Sequence, residues 1–412
     1  MMKNGAPALI LAAGAYLLLI LLPGQSLAVT WKARNLNSLW EQAAWDLGQL
    51  RIQPAFLLTN AGYDSNVLYA PRDPIEDYTF TLGPAFDVFL RIKKKLMISF
   101  YASPRYVHFF ETKRERSWNY HLNGSLNLLL NRFFLSVGGV YTDARRRINT
   151  EIDIRPRRKE KGARASLLWQ PSKRLSFSVE ARRSEYDHEN VVYEQFWISE
   201  RLDRVEDYAN FTIYYQLGAR TRFFADMEYG RFDFQSALNF RDSESRAFYG
   251  GFEFSPAGKI RGNIRLGYKE FDAKLVEGQD YSGLVGDTGI LVRLLRSVVM
   301  RAEYRRDVRF SLYYGNVYFL ENRAGGGLSV YVTKRIRLDY DYSLGRNKYP
   351  GEESAPVGKR LDEYKIHTAG IYFRLKRNIG LGLTASRWIR DSNIDREDNR
   401  RDFFGLNLIY DF

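Results

Sequence analysis

Short turns and long polar segments take turns along this chain, and few folds sort their connections that way. Tight turn signals fall at Lys93–Lys95, Asn131–Arg132, Pro171–Lys173, Gly218–Arg220, Pro256–Gly258, Arg296–Ser297, Lys334–Arg335 and Arg377–Asn378. They recur every ~40 residues, the size of two strands, one long loop and one short turn. Between them lie charged stretches such as 143–162, 187–207, 347–363 and 391–402. The rest alternates. In RIRLDYDYSLGR, Arg335, Arg337, Asp339 and Asp341 share one face of a strand, and Ile336, Leu338, Tyr340, Tyr342 and Leu344 share the other. Such a strand needs water on one side and oil on the other. With loops sorted short on one side and long on the other, the oil is predicted to be lipid outside a barrel.

The pattern predicts an all-β fold: a transmembrane antiparallel up-and-down barrel of about 18 strands over residues 50–412, or 16 or 20 if one hairpin is miscounted. Eighteen strands would leave room for an aqueous lumen. The alternation does not set the oligomeric state, since trimeric and monomeric barrels share it. Composition agrees. Of 412 residues, 15% are aromatic, with 28 Tyr and 27 Phe, types that favour strands and membrane boundaries. Cys is absent, which excludes disulfides, thiolate metal sites and a catalytic thiol.

The N-terminus reads as an export signal: a basic start at Lys3, an apolar run from Ala8 to Leu22, and Ser26-Leu27-Ala28 as a small-x-small cleavage site. Residues 1–28 are therefore expected to be removed, leaving 29–49 as a periplasmic segment with a short amphipathic helix over Leu36–Leu47. No later stretch is long and apolar enough for a membrane helix, so an exported chain is either soluble beyond the inner membrane or a barrel in the Gram-negative outer membrane, and the strand and loop pattern predicts the barrel. The net charge of +14 suits anionic headgroups or an acidic solute, and export argues against nucleic acid.

The pleat assigns the charges. Arg51, Arg91, Arg105, Arg164, Arg182, Arg222, Arg261, Arg265, Arg293, Arg301, Arg305, Arg323, Arg335, Arg337 and Arg374 fall on the polar face of their strands. Asp87, Glu180, Asp226, Glu228, Glu253, Glu303, Asp307, Glu321, Asp339 and Asp341 fall on the same face. Either these form a ladder of ion pairs that stiffens the wall, or the surplus arginines make an anion-preferring pore. The arginines of 145–147 and 155–159 are expected outside the cell, either solvated or gathering lipopolysaccharide phosphates or an acidic polymer.

Two stretches carry resemblances. FFGLNLIYDF (403–412), with Gly405, Leu408, Tyr410 and terminal Phe412, resembles the C-terminal β-signal of outer-membrane proteins, which implies insertion by the barrel assembly machinery. LLTNAGYDSNVLYAP (57–71), followed by a strand with Gly83-Pro84, resembles the opening of the type 2 family of β-barrel porins, found with exopolysaccharide export systems. That resemblance implies an outer-membrane barrel, lipid and lipopolysaccharide around it, and polysaccharide-export components near it.

The expected function is a passive channel for a polar, anionic, saccharide-type solute. The other reading is a closed scaffold in an envelope or polysaccharide-secretion assembly. No catalytic site, cofactor or metal is assigned. His108 and His121, both expected near the outer rim, raise a rim hydrolase as a third reading. Asp391, Asn393 and Asp395 have calcium-loop spacing, but Arg396 stands where the turn glycine should be and Asp402 where the final Glu should be.

Overall fold

A computed structural model describes residues 29–412 apart from 94, 152, 194–195, 237–238, 256–257, 314, 353–357 and 395–396. The expected export signal, residues 1–28, lies outside the described residues. Eighteen strands form the wall. The first nine are β1 (Leu50–Asp64), β2 (Asp77–Ile92), β3 (Leu96–Phe109), β4 (Ser117–Leu129), β5 (Phe133–Arg145), β6 (Arg157–Trp169), β7 (Leu175–His188), β8 (Arg204–Gly218) and β9 (Thr221–Phe234). The second nine are β10 (Ser243–Phe254), β11 (Ile260–Asp272), β12 (Tyr281–Arg293), β13 (Val298–Phe310), β14 (Tyr318–Tyr331), β15 (Ile336–Glu352), β16 (Lys359–Lys376), β17 (Ile379–Ser392) and β18 (Asn399–Asp411). Each pairs antiparallel with its sequence neighbours, and β18 pairs with β1, so the sheet closes and every edge is satisfied.

Alternation places the two faces. On β9, Arg222, Phe224, Asp226 and Phe232 are buried inside while Phe223, Met227 and Tyr229 stand exposed outside. On β15, Leu338, Tyr340 and Leu344 are exposed and Ser343 and Asn347 buried. Rings gather on the outer surface: His108 stacks on Phe80 (4.8 Å) and meets Phe110 edge-on (4.9 Å), beside Tyr106 and Trp118. Such a belt suits the headgroup boundary.

The strands run further than the hydropathy pattern implied. β6 begins at Arg157 and β15 reaches Glu352, both inside stretches expected to be loops. A strand needs only about 9–11 residues to cross the bilayer. β16 has 18. The surplus lies at the long-loop end, where the outer face carries ion pairs such as Arg346–Glu363, Arg387–Asp402 (2.6 Å) and Arg183–Asp207 (3.0 Å). There water lies on both sides and the oil–water alternation has no reason to persist, although backbone pairing continues.

The N-terminal helix also differs from expectation. α1 spans Val29–Gln42 rather than 36–47. Trp45–Leu47 turn back to pair with Leu50–Ile52 around Gly48, whose φ of +78° closes the turn. Leu36 on α1 packs against Phe134, Leu168, Tyr214 and Phe224 of the inner wall. Trp40 lies under the Arg51 guanidinium, 3.7 Å from ring centroid to Cζ. The helix thus sits inside the periplasmic mouth.

Candidate functional site: the lumen and its two mouths

The inner wall alternates between arginine and carboxylate across neighbouring strands. Arg222 meets Glu253 at 2.7 Å, Arg265 meets Asp226 at 2.6 Å and Glu228 at 3.2 Å, and Arg305 meets Asp287 at 2.9 Å. Arg164 pairs with Glu180, Lys269 with Asp307 and Arg309 with Glu321. Tyrosine rings support two of these cations: Arg222 lies 3.8 Å over Tyr214, and Arg265 lies 3.4 Å over Tyr249.

Arg301 on β13 reaches past β14 to Asp341 on β15 at 2.9 Å, and also donates to Ser329 at 2.6 Å. This span needs Gly327 between them. A Cβ there would run into the Asp341 carboxylate and the Arg301 guanidinium. Arg337 pairs with Asp339 at 2.9 Å, and Arg323 with Glu303 at 2.9 Å. The last pair remains about two-fifths exposed, in a wet part of the lumen.

Of the arginines singled out from sequence, Arg222, Arg265, Arg301, Arg305, Arg323 and Arg337 thus sit in the ladder with Asp339 and Asp341. Arg182, Arg261 and Arg293 are half-buried with no carboxylate partner among the described residues. Arg182 lies over the Tyr208 ring at 4.3 Å, and Arg261 donates to the Gly258 carbonyl at 3.1 Å. Arg335 stands exposed in the turn before β15. Of the β-signal residues, Leu408 and Tyr410 take alternate positions along β18, Phe412 follows directly after its end, and Gly405 lies on the opposite face from Leu408 and Tyr410.

At the extracellular mouth, chain from opposite sides meets. The β5–β6 loop and the β13–β14 loop are rooted almost diametrically apart in the ring of eighteen. Glu151 of the first is wholly buried, accepts from the Leu312 backbone N–H of the second at 2.9 Å and pairs with the Ser311 hydroxyl. Arg390 on β17 donates to the Thr150 carbonyl at 2.8 Å and to Asp153 at 2.9 Å. Arg241, from the β9–β10 loop, donates to the Ser311 carbonyl at 2.7 Å. Arg360 pairs with Asp362 at 2.8 Å and Glu397 at 3.2 Å, under the Tyr313 ring. Ile198, Leu202 and Leu312 form an apolar cluster beside Ile148 and Ile154. These contacts carry the chain across the mouth as a cap.

Sequence reasoning missed the cap. The 145–159 arginines, expected to be displayed outward, are largely tied down: Arg145 to Glu189, Arg147 to Asp153, Arg157 to Asp143 and Arg158 to Glu160. The available signal was the pair of acids, Glu151 and Asp153, interleaved with isoleucines, of which Ile148 and Ile154 pack against the buried cluster. Burial pushes the Glu151 carboxyl above its ordinary range, against the pull of Arg360 and the Ser311 and Leu312 hydrogen bonds.

The two histidines do not form one site. His108 belongs to the outer aromatic belt, whereas His121 sits on the inner face, with Nδ1 at 3.0 Å from the Thr142 hydroxyl. In the 391–402 loop, the Asn393 amide is engaged by the backbone of Leu361 and Lys359, and Asp395 lies outside the described residues.

A closed eighteen-strand barrel with an outer aromatic belt, a charged lumen and short turns facing long loops defines an outer-membrane porin-type barrel. The model of the family "Putative beta-barrel porin 2" matches residues 47–412, and the chain belongs to that family. Porins are channels rather than enzymes, and they lie in the outer membrane. The fold is shared with a BenF-like porin from Pseudomonas fluorescens Pf-5 (9% identity, 88% of this chain and 98% of that chain, TM-score 0.51). It is also shared with Pseudomonas aeruginosa OccK2 (OpdF), at 10% identity over 88% of this chain and 97% of that one, TM-score 0.50. A search of curated proteins gives no match.

Proposed function

We propose that the barrel conducts a polar anionic solute, of saccharide type, across the outer membrane, and that the cap is its gate. The observation carrying this reading is the set of inner-wall arginines without carboxylate partners among the described residues: Arg182, Arg261, Arg293 and Arg374. The ion-pair ladder fixes the wall and cancels most of its charge, so the solute meets the arginines left over. Guanidinium groups without a paired carboxylate along an aqueous path lower the energy of an anion and raise that of a cation. Acidic sugars from an exopolysaccharide system fit this charge and the +14 chain. Insertion through the β-signal at Gly405–Phe412, and lipopolysaccharide around the outer belt, complete the proposal.

A second reading has its own support. A cap across one mouth and α1 in the other suit a non-conducting scaffold of a polysaccharide-secretion assembly. Single-channel conductance and reversal potential of the folded barrel under a salt gradient decide between them. Anion-selective openings are expected. Cation selectivity, or silence from a barrel proved folded, sinks the channel reading.

A further inference from the structure

The periplasmic end of the wall holds a small basic pocket that the ladder does not explain. It lies where β14 to β18 meet their turns, with a volume of about 70 Å³. Five basic residues line it, Lys334, Arg335, Arg337, Arg374 and Arg377, against a single acidic one, Asp411. Tyr372 forms part of its wall and carries the Arg337 guanidinium 4.4 Å from its ring centroid. Arg337 is neutralised by Asp339 at 2.9 Å. Arg374 is not: its Nε is buried without a hydrogen-bond partner, although its backbone N–H is held by the Arg335 carbonyl at 2.7 Å. A buried guanidinium N–H left unmatched costs desolvation free energy that a bound acceptor recovers.

We propose that this pocket binds the oxyanion group of a soluble anionic solute, a carboxylate or a phosphate, at the periplasmic mouth. The volume fits such a group with a few waters, each needing roughly 10–15 Å³ by this measure, while the rest of the solute lies in the lumen. Arg374 lines the pocket and keeps a buried N–H without a hydrogen-bond partner, and the turn residues Lys334, Arg335 and Arg377 supply field without a fixed partner among the described residues. Tyr372 offers an apolar face beside the charge. The proposal deepens the anion-channel reading by giving the solute a point of capture on the periplasmic side.

The test is calorimetric titration of the detergent-folded barrel with inorganic phosphate and, separately, with gluconate. Saturable binding is expected with at least one of them, weakened about tenfold or more in Arg374→Gln, as the loss of a charge-assisted bond would give. Arg387→Gln, on the outer wall and tied to Asp402, serves as the control and is expected to bind as the unmodified barrel does. Absence of binding to both anions, or equal binding by Arg374→Gln, overturns the proposal. Repeating the titration in phosphatidylcholine vesicles with and without phosphatidylglycerol separates the sources: binding abolished by the anionic lipid would assign the pocket to a lipid phosphate and overturn the solute assignment. The readout is independent of conductance, so a silent bilayer with intact binding would remove the channel reading and leave the pocket standing.

Discussion

At the extracellular mouth Arg360 is buried between Asp362, Glu397 and the rings of Tyr313 and Tyr349; at the periplasmic mouth Arg374 faces a pocket with its Nε unmatched. The same side chain is used in one place to hold chain together and in the other to stay available. Context decides which. In the cap, Arg360 and Arg390 each meet carboxylates from two segments and are buried. At the periplasmic end the turns are short and basic, few acids are near, and water remains. The arginine count of a barrel therefore says little about its selectivity until each cation is matched against its carboxylates.

The comparison breaks most visibly at the cap. Replacing Asp362 with Asn leaves buried Arg360 with Glu397 as its remaining ion-pair partner among the described residues, and losing one member of a buried ion pair costs about 3–5 kcal/mol. The expected outcome is a cap that opens, seen as faster proteolysis in the 146–156 loop and more frequent openings in the bilayer. An unchanged digestion pattern would mean that the cap does not depend on this cluster.

Neutralising the other mouth tests the opposite role. Arg261→Gln combined with Arg293→Gln removes two unpaired charges and is expected to move the reversal potential several-fold in permeability ratio toward neutrality, with folding intact. Loss of folding instead would put these residues with the structural arginines.

The third effect is pH. Glu151 is held above its ordinary value in the closed cap, by burial first, and returns to that value when the loop is released into water. A group raised in the closed form favours closure fully below its ordinary pKa, and that contribution is lost as pH rises through the raised value. Open probability is therefore expected to increase with pH over that range. Glu151→Gln, a mimic of the neutral acid, should flatten the response and keep the cap shut at neutral pH. A pH response identical in the variant would exclude Glu151 as its source.

The smallest effect belongs to the ladder between the mouths. Gly327→Ala forces Arg301 and Asp341 apart, yet these side chains are 24% and 46% exposed, and ion pairs in water contribute about 0–1 kcal/mol. Thermal unfolding should shift by a few degrees at most, with the change mainly in current noise.

Much of this was legible in the sequence, and the reason is the bilayer. Where lipid lies outside, every second residue must be apolar, so the strand positions and the inward face of Arg301, Arg305 and Arg337 follow from parity alone. Above the membrane that constraint lapses, which is why β6 and β15 extend through stretches that read as loops. The cap was illegible for another reason. Glu151 and Ser311 are 160 positions apart, and no local pattern reports their meeting. α1 was displaced because Leu36–Leu47 keeps helical spacing past Gln42, while the pairing of Trp45–Leu47 with β1 is decided by the turn at Gly48.

Two junctions in the wall are shorter than the rest. β15 and β16 are paired at fourteen positions, whereas β12 and β13 are matched at eight without a break, and β1 and β18 at eight split by a bulge where Asn60 takes a φ of +53° and its backbone N–H turns to the Asn407 side chain. A hoop under tension parts at its weakest weld, and of the two short ones only that between β1 and β18 is interrupted. If the barrel is pulled, heated or pried from the side, the first crack should run between these two strands, starting from the bulge, and the wall should unroll from there as a sheet.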